Sequence, residues 1–511
     1  MALPLLLLNI SFLLLLSLFF LSSNHLLPIN GCQDYLSSRR CSSNNHKAAT
    51  PCVPQGYIDY LFFFCSLSKI LHPYLVYLLL SLWLLVLFYL LGNTASLYFC
   101  SSLEGLSKLL RLSPTIAGVT LLSLGNGASD VFSSIVSFSG SGAEEVGLSS
   151  VIGGSFFVSS VVVGVISISI NASEAHTIFI EKPGFFRNIA FLLTTSLALV
   201  FILFIGEITV WGSLCFVSLY LIYVLLVSTA HCCKTKTSED LIEPLIDLEQ
   251  ARHESSTHQK LHWFVSVLEM PLYLPRRLTI PDVSEERWSK PMAVASVFFS
   301  PLLIAALWNT EERLTIFMFG GLVGLLLGIT VVETTESSSP PNKCLFLWLS
   351  AEFLMSVIWT YMTSRELVSL LVSVGYVLGI SPSVLGVTVL AWGNSAGDLM
   401  ANVAMAVSVN GGQDGAQVAI AGCYAGPVFN ILVGLGLSFL LSSMAVYPSP
   451  FVLPQSSSLL ETLGFLIGGL LWALVMLPSR GMKLDRVLGF GLLAIYLCFV
   501  CVRISECIGF L

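Results

Sequence analysis

One motif occurs twice in this chain: Ser113-Pro-Thr-Ile-Ala-Gly-Val-Thr-Leu-Leu-Ser-Leu-Gly-Asn-Gly-Ala-Ser-Asp130 and Ser381-Pro-Ser-Val-Leu-Gly-Val-Thr-Val-Leu-Ala-Trp-Gly-Asn-Ser-Ala-Gly-Asp398. The offset is 268 residues at both ends (381 − 113 and 398 − 130), and 10 of the 18 paired positions are identical, which marks an internal duplication. Ser-Pro opens each copy as a helix start does, with Ser as the cap and Pro in the first turn. Each copy closes on a polar Gly-Asn-x-Ala-x-Asp tail inside apolar sequence.

The surroundings decide the solvent. Of 511 residues, 55% are hydrophobic and 10% charged, and mean hydropathy is +0.86. A soluble chain carries about 25% charged residues, so this one is a polytopic membrane protein. Its partner is the lipid bilayer and no nucleic acid is expected. Within a bilayer every backbone polar group must be satisfied inside its own segment, which makes the fold all-α. The 13 Cys lie mostly in apolar runs and read as small hydrophobes.

Residues 1–24 form a signal-like apolar segment, although the first basic residue is Arg39. Residues 25–69 form a polar segment with Cys32, Cys41, Cys52 and Cys65. If it faces an oxidising compartment, disulfides follow, in any of three pairings. Transmembrane helices are expected near 70–98, 113–138, 146–170, 186–206 and 208–229, so that 70–229 is one five-helix repeat. Residues 230–290 are expected to be a cytosolic loop, mostly solvated, with 261–280 a weak candidate for the membrane surface. Two extra helices fill 291–343, near 291–308 and 314–334. A second repeat occupies 344–511, with spans near 344–378 (long enough to be broken), 382–407, 415–442, 458–477 and 485–508. That makes about 12 spans.

Alternating these spans places Lys108 and Arg111, Lys182 and Arg187, the basic residues of 230–290, and Arg480, Lys483 and Arg486 on one side. By the positive-inside rule that side is cytosolic. The N-terminal Cys segment is then extracellular or luminal, and the membrane belongs to the secretory pathway: plasma membrane, vacuole or another endomembrane. The first copy of the motif runs outward and the second inward. Inverted repeats are the signature of alternating-access carriers, with the site at their midplane interface.

Asp130 and Asp398 each fall deep in a span, where an ionisable residue is costly and marks function. Asn126 and Asn394 precede them by four residues, on the same helix face. Ser395 adjoins that face in the second copy, with Gly127 in its place in the first. Asn430, in the following helix, offers a further amide. Thr120 and Thr388 lie further back. Such oxygens suit hard cations: Ca²⁺, Na⁺ or K⁺. Neither tail holds His or Cys, which argues against zinc or copper, and no cofactor is expected. Two carboxylates balance one divalent ion, two monovalent ions, or one ion and a proton. Glu352 also falls within a span, either lining a cavity or facing a polar neighbour.

Gly125-Asn-Gly-Ala-Ser-Asp130 and Gly393-Asn-Ser-Ala-Gly-Asp398 resemble the paired repeats of the sodium/calcium exchanger superfamily, most closely the plant cation/calcium exchangers, and are similar to those of the mitochondrial sodium/calcium exchanger. The resemblance covers both repeats. It implies a non-enzymatic antiporter exchanging Ca²⁺, Na⁺ or K⁺, with Mn²⁺ and H⁺ as further candidates. It also implies an ion site lined by Asn126, Asp130, Asn394, Ser395, Asp398 and Asn430. Two departures stand out. Asp130 takes the place of a Glu common in the superfamily, and Val162, at the 268 offset from Asn430, that of an Asn. Two rival readings are a cation channel and an intramembrane aspartyl protease. The protease reading is weakened by Ser129 before the first Asp and Ser395 where a Gly is needed.

Overall fold

The computed structural model describes residues 56–109, 123–139, 143–172, 178–232, 272–307, 313–337, 339–341, 344–407 and 412–508. The signal-like segment, Cys32, Cys41, Cys52, Thr120, the start of the first motif copy and most of the 230–290 loop lie outside them.

A short helix α1 (Tyr60–Leu67) leads into α2 (Pro73–Thr94), which passes through a π-helical turn, Ala95–Cys100, into Ser101–Leu109. Next come α3 (Ser123–Ser139) and α4, built of Glu144–Phe156, a π-helical turn Phe157–Val162, and Val163–Ala172. Then follow α5 (Lys182–Ile205), α6 (Val210–Cys232), α7 (Lys290–Leu307), α8 (Arg313–Thr334) and α9 (Leu345–Leu378). The second copy forms α10, which runs Pro382–Leu385, a π-helical turn Gly386–Leu390, and Ala391–Val407. It is followed by α11, made of Gly412–Phe429, a π-helical turn Asn430–Leu435, and Gly436–Ala445, and then by α12 (Ser457–Ser479) and α13 (Arg486–Ile508). Among the described residues, ten helices are long and apolar enough to cross a membrane. The two motif helices, α3 and α10, are not among those ten: the described part of α3 is 17 residues long, and in α10 the polar tail dilutes the apolar run. Counting them restores the expected twelve, and α9 is one unbroken helix of 34 residues. Pro382 sits in the first turn of α10 as expected, but the Ser381 side chain makes no cap hydrogen bond.

The described residues form two compact units. One takes its residues from 89–109 and 272–363, the other from 56–88, 123–232 and 364–508. In the second unit both motif copies share one apolar core, with Ile152, Phe156, Leu199, Leu432, Phe439, Leu466 and Leu492 fully buried. Loop contacts sort this unit into two faces. On one, residues 178–180 bond with 482–484, and Gln417 Oε1 accepts the Glu181 amide at 2.9 Å. On the other, Glu207–Ile208 pairs antiparallel with Phe451–Val452, and Ser442 donates to the carbonyl of Phe138. On this second face Ser383, at the start of α10, also bonds Ser149 (3.0 Å) and Ser458 (2.9 Å). The first copy therefore ends, at Phe138, on the face where the second begins, so the two copies run antiparallel.

The same unit buries Glu366 of α9 beneath residues 56–60. Its carboxylate accepts from the Tyr60 hydroxyl (2.7 Å) and from the Tyr57 amide. In the other unit the end of the 230–290 region departs from the expected solvated loop. Residues 272–279 are helical, and Arg276 is buried, donating to Asn93 Oδ1 (2.7 Å) and Thr94 Oγ1 (3.0 Å). Arg277 and Arg287 both pair with the buried carboxylate of Asp282, at 2.5 and 2.7 Å. Arg287 also bonds the carbonyl of Leu97, in the π-helical turn of α2. A guanidinium carries a fixed fork of donors, so the Leu97 carbonyl in the π-helical turn gives Arg287 a partner that solvent would otherwise supply.

Candidate functional site

The site lies wholly within the second unit. Asp130 points inward from α3 at 1% exposure. A buried carboxylate needs donors, and it finds them across the molecule. Asn394 Nδ2, from α10, donates to Oδ1 at 3.0 Å, and Asn430 Nδ2, from α11, donates to Oδ2 at 2.7 Å. Asn394 Nδ2 also approaches Ser133 Oγ at 3.4 Å. Asn394, four residues before Asp398 on α10, serves the carboxylate of the other copy. Such crossing contacts follow from the antiparallel arrangement, because the π-helical turn of α11 packs on α3 and that of α4 packs on α10.

Three oxygens beside this carboxylate are buried and have no hydrogen-bond partner among the described residues: Asn394 Oδ1, Asn430 Oδ1 and Ser395 Oγ. Buried polar atoms are normally paired, so a cluster of orphan acceptors around one carboxylate is a cradle for a cation. Asn430 owes its place to its helix. It begins a π-helical turn, and Pro427, three residues earlier, cannot donate to the carbonyl of Cys423. π-Helical turns collect at functional sites because the extra residue re-aims side chains and frees carbonyls.

Asp398 has a different setting. It is half-buried, and among the described residues only its backbone carbonyl is hydrogen-bonded, by Asn402 Nδ2 at 2.8 Å. It lies within electrostatic reach of Asp130 and of the buried Cys423 thiol. Cys423 belongs to α11, so the tails alone gave no sign of it. Asn126 lies on α3, but its side chain is outside the described residues. Thr388 bonds the carbonyl of Val384. Glu352 is buried in the other unit, with Oε1 unpartnered. Among the described residues no three His, Cys, Asp or Glu side chains converge.

The structure also corrects the expected counterpart of Asn430. The π-helical turns Phe157–Val162 and Asn430–Leu435 lie 273 residues apart (430 − 157 and 435 − 162), five more than the motif offset, and the residues flanking them set the register one residue short of that. Gly154 matches Gly426, Phe157 matches Phe429, and Gly164 matches Gly436, each 272 residues apart. Val158, not Val162, therefore stands opposite Asn430. The extra turn lies early in α11, which runs 18 residues before its π-helical turn against 13 in α4.

An occluded carboxylate with neutral oxygens to spare, set among antiparallel copies of one helical motif, has the chemistry of a cation carrier in a multi-pass membrane protein. The chain belongs to the sodium/calcium exchanger protein family, whose model matches residues 80–229 and 348–505. It is 47% identical to cation/calcium exchanger 1 of Arabidopsis thaliana, over 99% of this chain and 97% of that one. It is 31% identical to the human mitochondrial sodium/calcium exchanger protein, over 89% and 85%. A solved H⁺/Ca²⁺ exchanger aligns at TM-score 0.44 and 14% identity, over 86% and 87%.

Proposed function

We propose that this protein exchanges Ca²⁺ for a monovalent cation by alternating access, with the ion held by Asp130, Asn394, Ser395 and Asn430 and with Asp398 and Asn126 completing the cage. The observation that carries the reading is the set of three orphan oxygens around the buried Asp130. With no ion bound, the two amides present N–H groups to the carboxylate. A half-turn of either amide about χ2 presents Oδ1 instead, converting a donor to the carboxylate into a ligand for the cation that the carboxylate attracts.

Exchange follows from charge. With both carboxylates ionised the empty site carries −2, and moving uncompensated charge through a low-dielectric interior costs several kcal/mol per ion. One divalent ion or two monovalent ions remove that cost, so the loaded forms cross and the empty form does not. Na⁺, K⁺ and H⁺ are the candidate counter-ions, and Mn²⁺ a candidate alternative cargo. The Lys- and Arg-rich loops face the cytosol, in a membrane of the secretory pathway.

The test is labelled Ca²⁺ uptake into vesicles against Na⁺, K⁺ or H⁺ gradients. Saturable counter-transport is expected for wild type, and loss of coupled flux for Asp130→Asn and Asp398→Asn with unchanged folding. Uncoupled, non-saturating flux would instead identify a channel, and full flux in either variant would remove that carboxylate from the site.

A further inference from the structure

Positions 127 and 395 are equivalent in the two motif copies; one is Gly and the other Ser. Positions 158 and 430 are equivalent in the following helices; one is Val and the other Asn. The two differences are complementary. The glycine stands against the asparagine: a Cβ built on Gly127 falls inside van der Waals contact of Asn430 Oδ1 and 2.9 Å from Phe429 Cδ1. The serine stands against another glycine: a Cβ on Gly154 meets Ser395 Oγ at 3.1 Å and Asp130 Oδ2 at 3.7 Å. One flank of Asp130 thus receives an amide through the space a glycine leaves. The other receives a hydroxyl, while the position equivalent to Asn430 is the apolar Val158.

We infer that Gly127 sets the ion preference of this site, because its missing side chain admits the Asn430 amide to Asp130. The inference rests on the reading of Asp130 as an ion ligand. Gly127 is a positioning residue and acts only through Asn430. Any side chain at 127 meets both the terminal amide and the buried Phe429 ring; the amide is the movable partner and turns off the carboxylate. The loss falls mainly on divalent ions. A carbonyl oxygen is a larger dipole than a hydroxyl, and Ca²⁺ gathers more oxygens, at higher charge, than a monovalent ion.

The experiment compares wild type, Asp130→Asn, Gly127→Ala, Asn430→Ala, the double variant Gly127→Ala/Asn430→Ala, and the exchange Gly127→Ser/Asn430→Val. Half-saturating Ca²⁺ and half-saturating counter-ion are measured in vesicles, with folding checked by thermal melting in detergent. Gly127→Ala and Asn430→Ala are each expected to raise half-saturating Ca²⁺ by about 10–100-fold, the range for loss of a ligand's support. The double variant should shift the preference for Ca²⁺ over the counter-ion no further than Asn430→Ala alone, because the amide is already gone and the remaining contact of the new Cβ, with the Phe429 ring, touches no ion ligand. The exchange variant removes the clash with the amide, leaving only the contact with Phe429, and serves if Gly127→Ala fails to fold. It should transport, with its Ca²⁺ preference over the counter-ion lowered about tenfold.

Multiplying effects in the double variant would overturn the inference, as would wild-type preference in the exchange variant. If Asp130→Asn abolishes coupled flux while Gly127→Ala behaves as wild type, the inference fails and the ion-site reading stands. If Asp130→Asn keeps full flux, the reading itself fails.

Discussion

The two halves of the site began as the same sequence, yet their carboxylates stand in different settings. Asp130 is sealed and accepts two amide donors, one from each of two helices of the second half. Asp398 is half-buried and its carboxylate accepts no hydrogen bond among the described residues. The difference does not come from the Asn four residues before each Asp, which both copies keep. It comes from what each copy faces. α3 faces the π-helical turn that begins with Asn430, whereas α10 faces the one that carries Val158. A duplicated motif therefore yields a graded pair, one carboxylate held in an amide grip and one left open.

The strongest way to break this comparison is to remove each charge in turn. Asp130→Asn and Asp398→Asn should both lower coupled Ca²⁺ flux by about 100-fold or more, beyond the range for lost ligand support. A loss confined to Asp130→Asn would show that only the gripped carboxylate carries the ion.

The neutral ligands should split more gently. Asn430→Ala is expected to raise half-saturating Ca²⁺ by about 10–100-fold, and Ser395→Ala by less. An equal effect of the two would erase the amide–hydroxyl distinction.

Stability in ion-free detergent sharpens the contrast from another side. Asp130→Ala strands two buried amide donors, at a cost of about 1–3 kcal/mol each. Asp398→Ala strands none and should melt close to wild type.

The smallest effect lies away from the site. Burial alone would raise the Asp282 carboxyl. The Arg287 hydrogen bond and charge, with the bonds from Ser284, hold it below its ordinary value instead. Its stabilising contribution is then complete above about pH 4, the unfolded value, and is lost as the pH falls through the lower folded value. Melting curves should drop on that acid limb in wild type, and Asp282→Asn should flatten it. Acid loss of the same size in Asp282→Asn would remove this carboxyl as the cause.

Much of the site was legible before any fold was known. Asp130, Asn394, Ser395 and Asp398 stood out because polar residues repeated in register inside apolar sequence have no cheap explanation in lipid. Asn430 stood out less, and its counterpart was misplaced by a turn. A constant sequence offset cannot show that α11 carries extra residues before its π-helical turn, whereas the paired glycines at 154 and 426 and at 164 and 436 fix the register once the turns are seen. The burial of Arg276 and Arg277 was also illegible, because paired arginines in a loop read as solvated until Asn93, Thr94 and Asp282 are brought to them.

Composition and periodicity alone determined a membrane-spanning all-α chain, its duplication and the identity of the two carboxylates. Each of these depends on transfer from water and on local helix geometry, and both are properties of a segment by itself. Only the tertiary structure decided that Asn394 serves Asp130 rather than Asp398, that Gly127 makes room for Asn430, and that one carboxylate has amide donors while the other has none among the described residues. Those facts depend on which antiparallel helix packs against which, and packing is settled between segments, not within them.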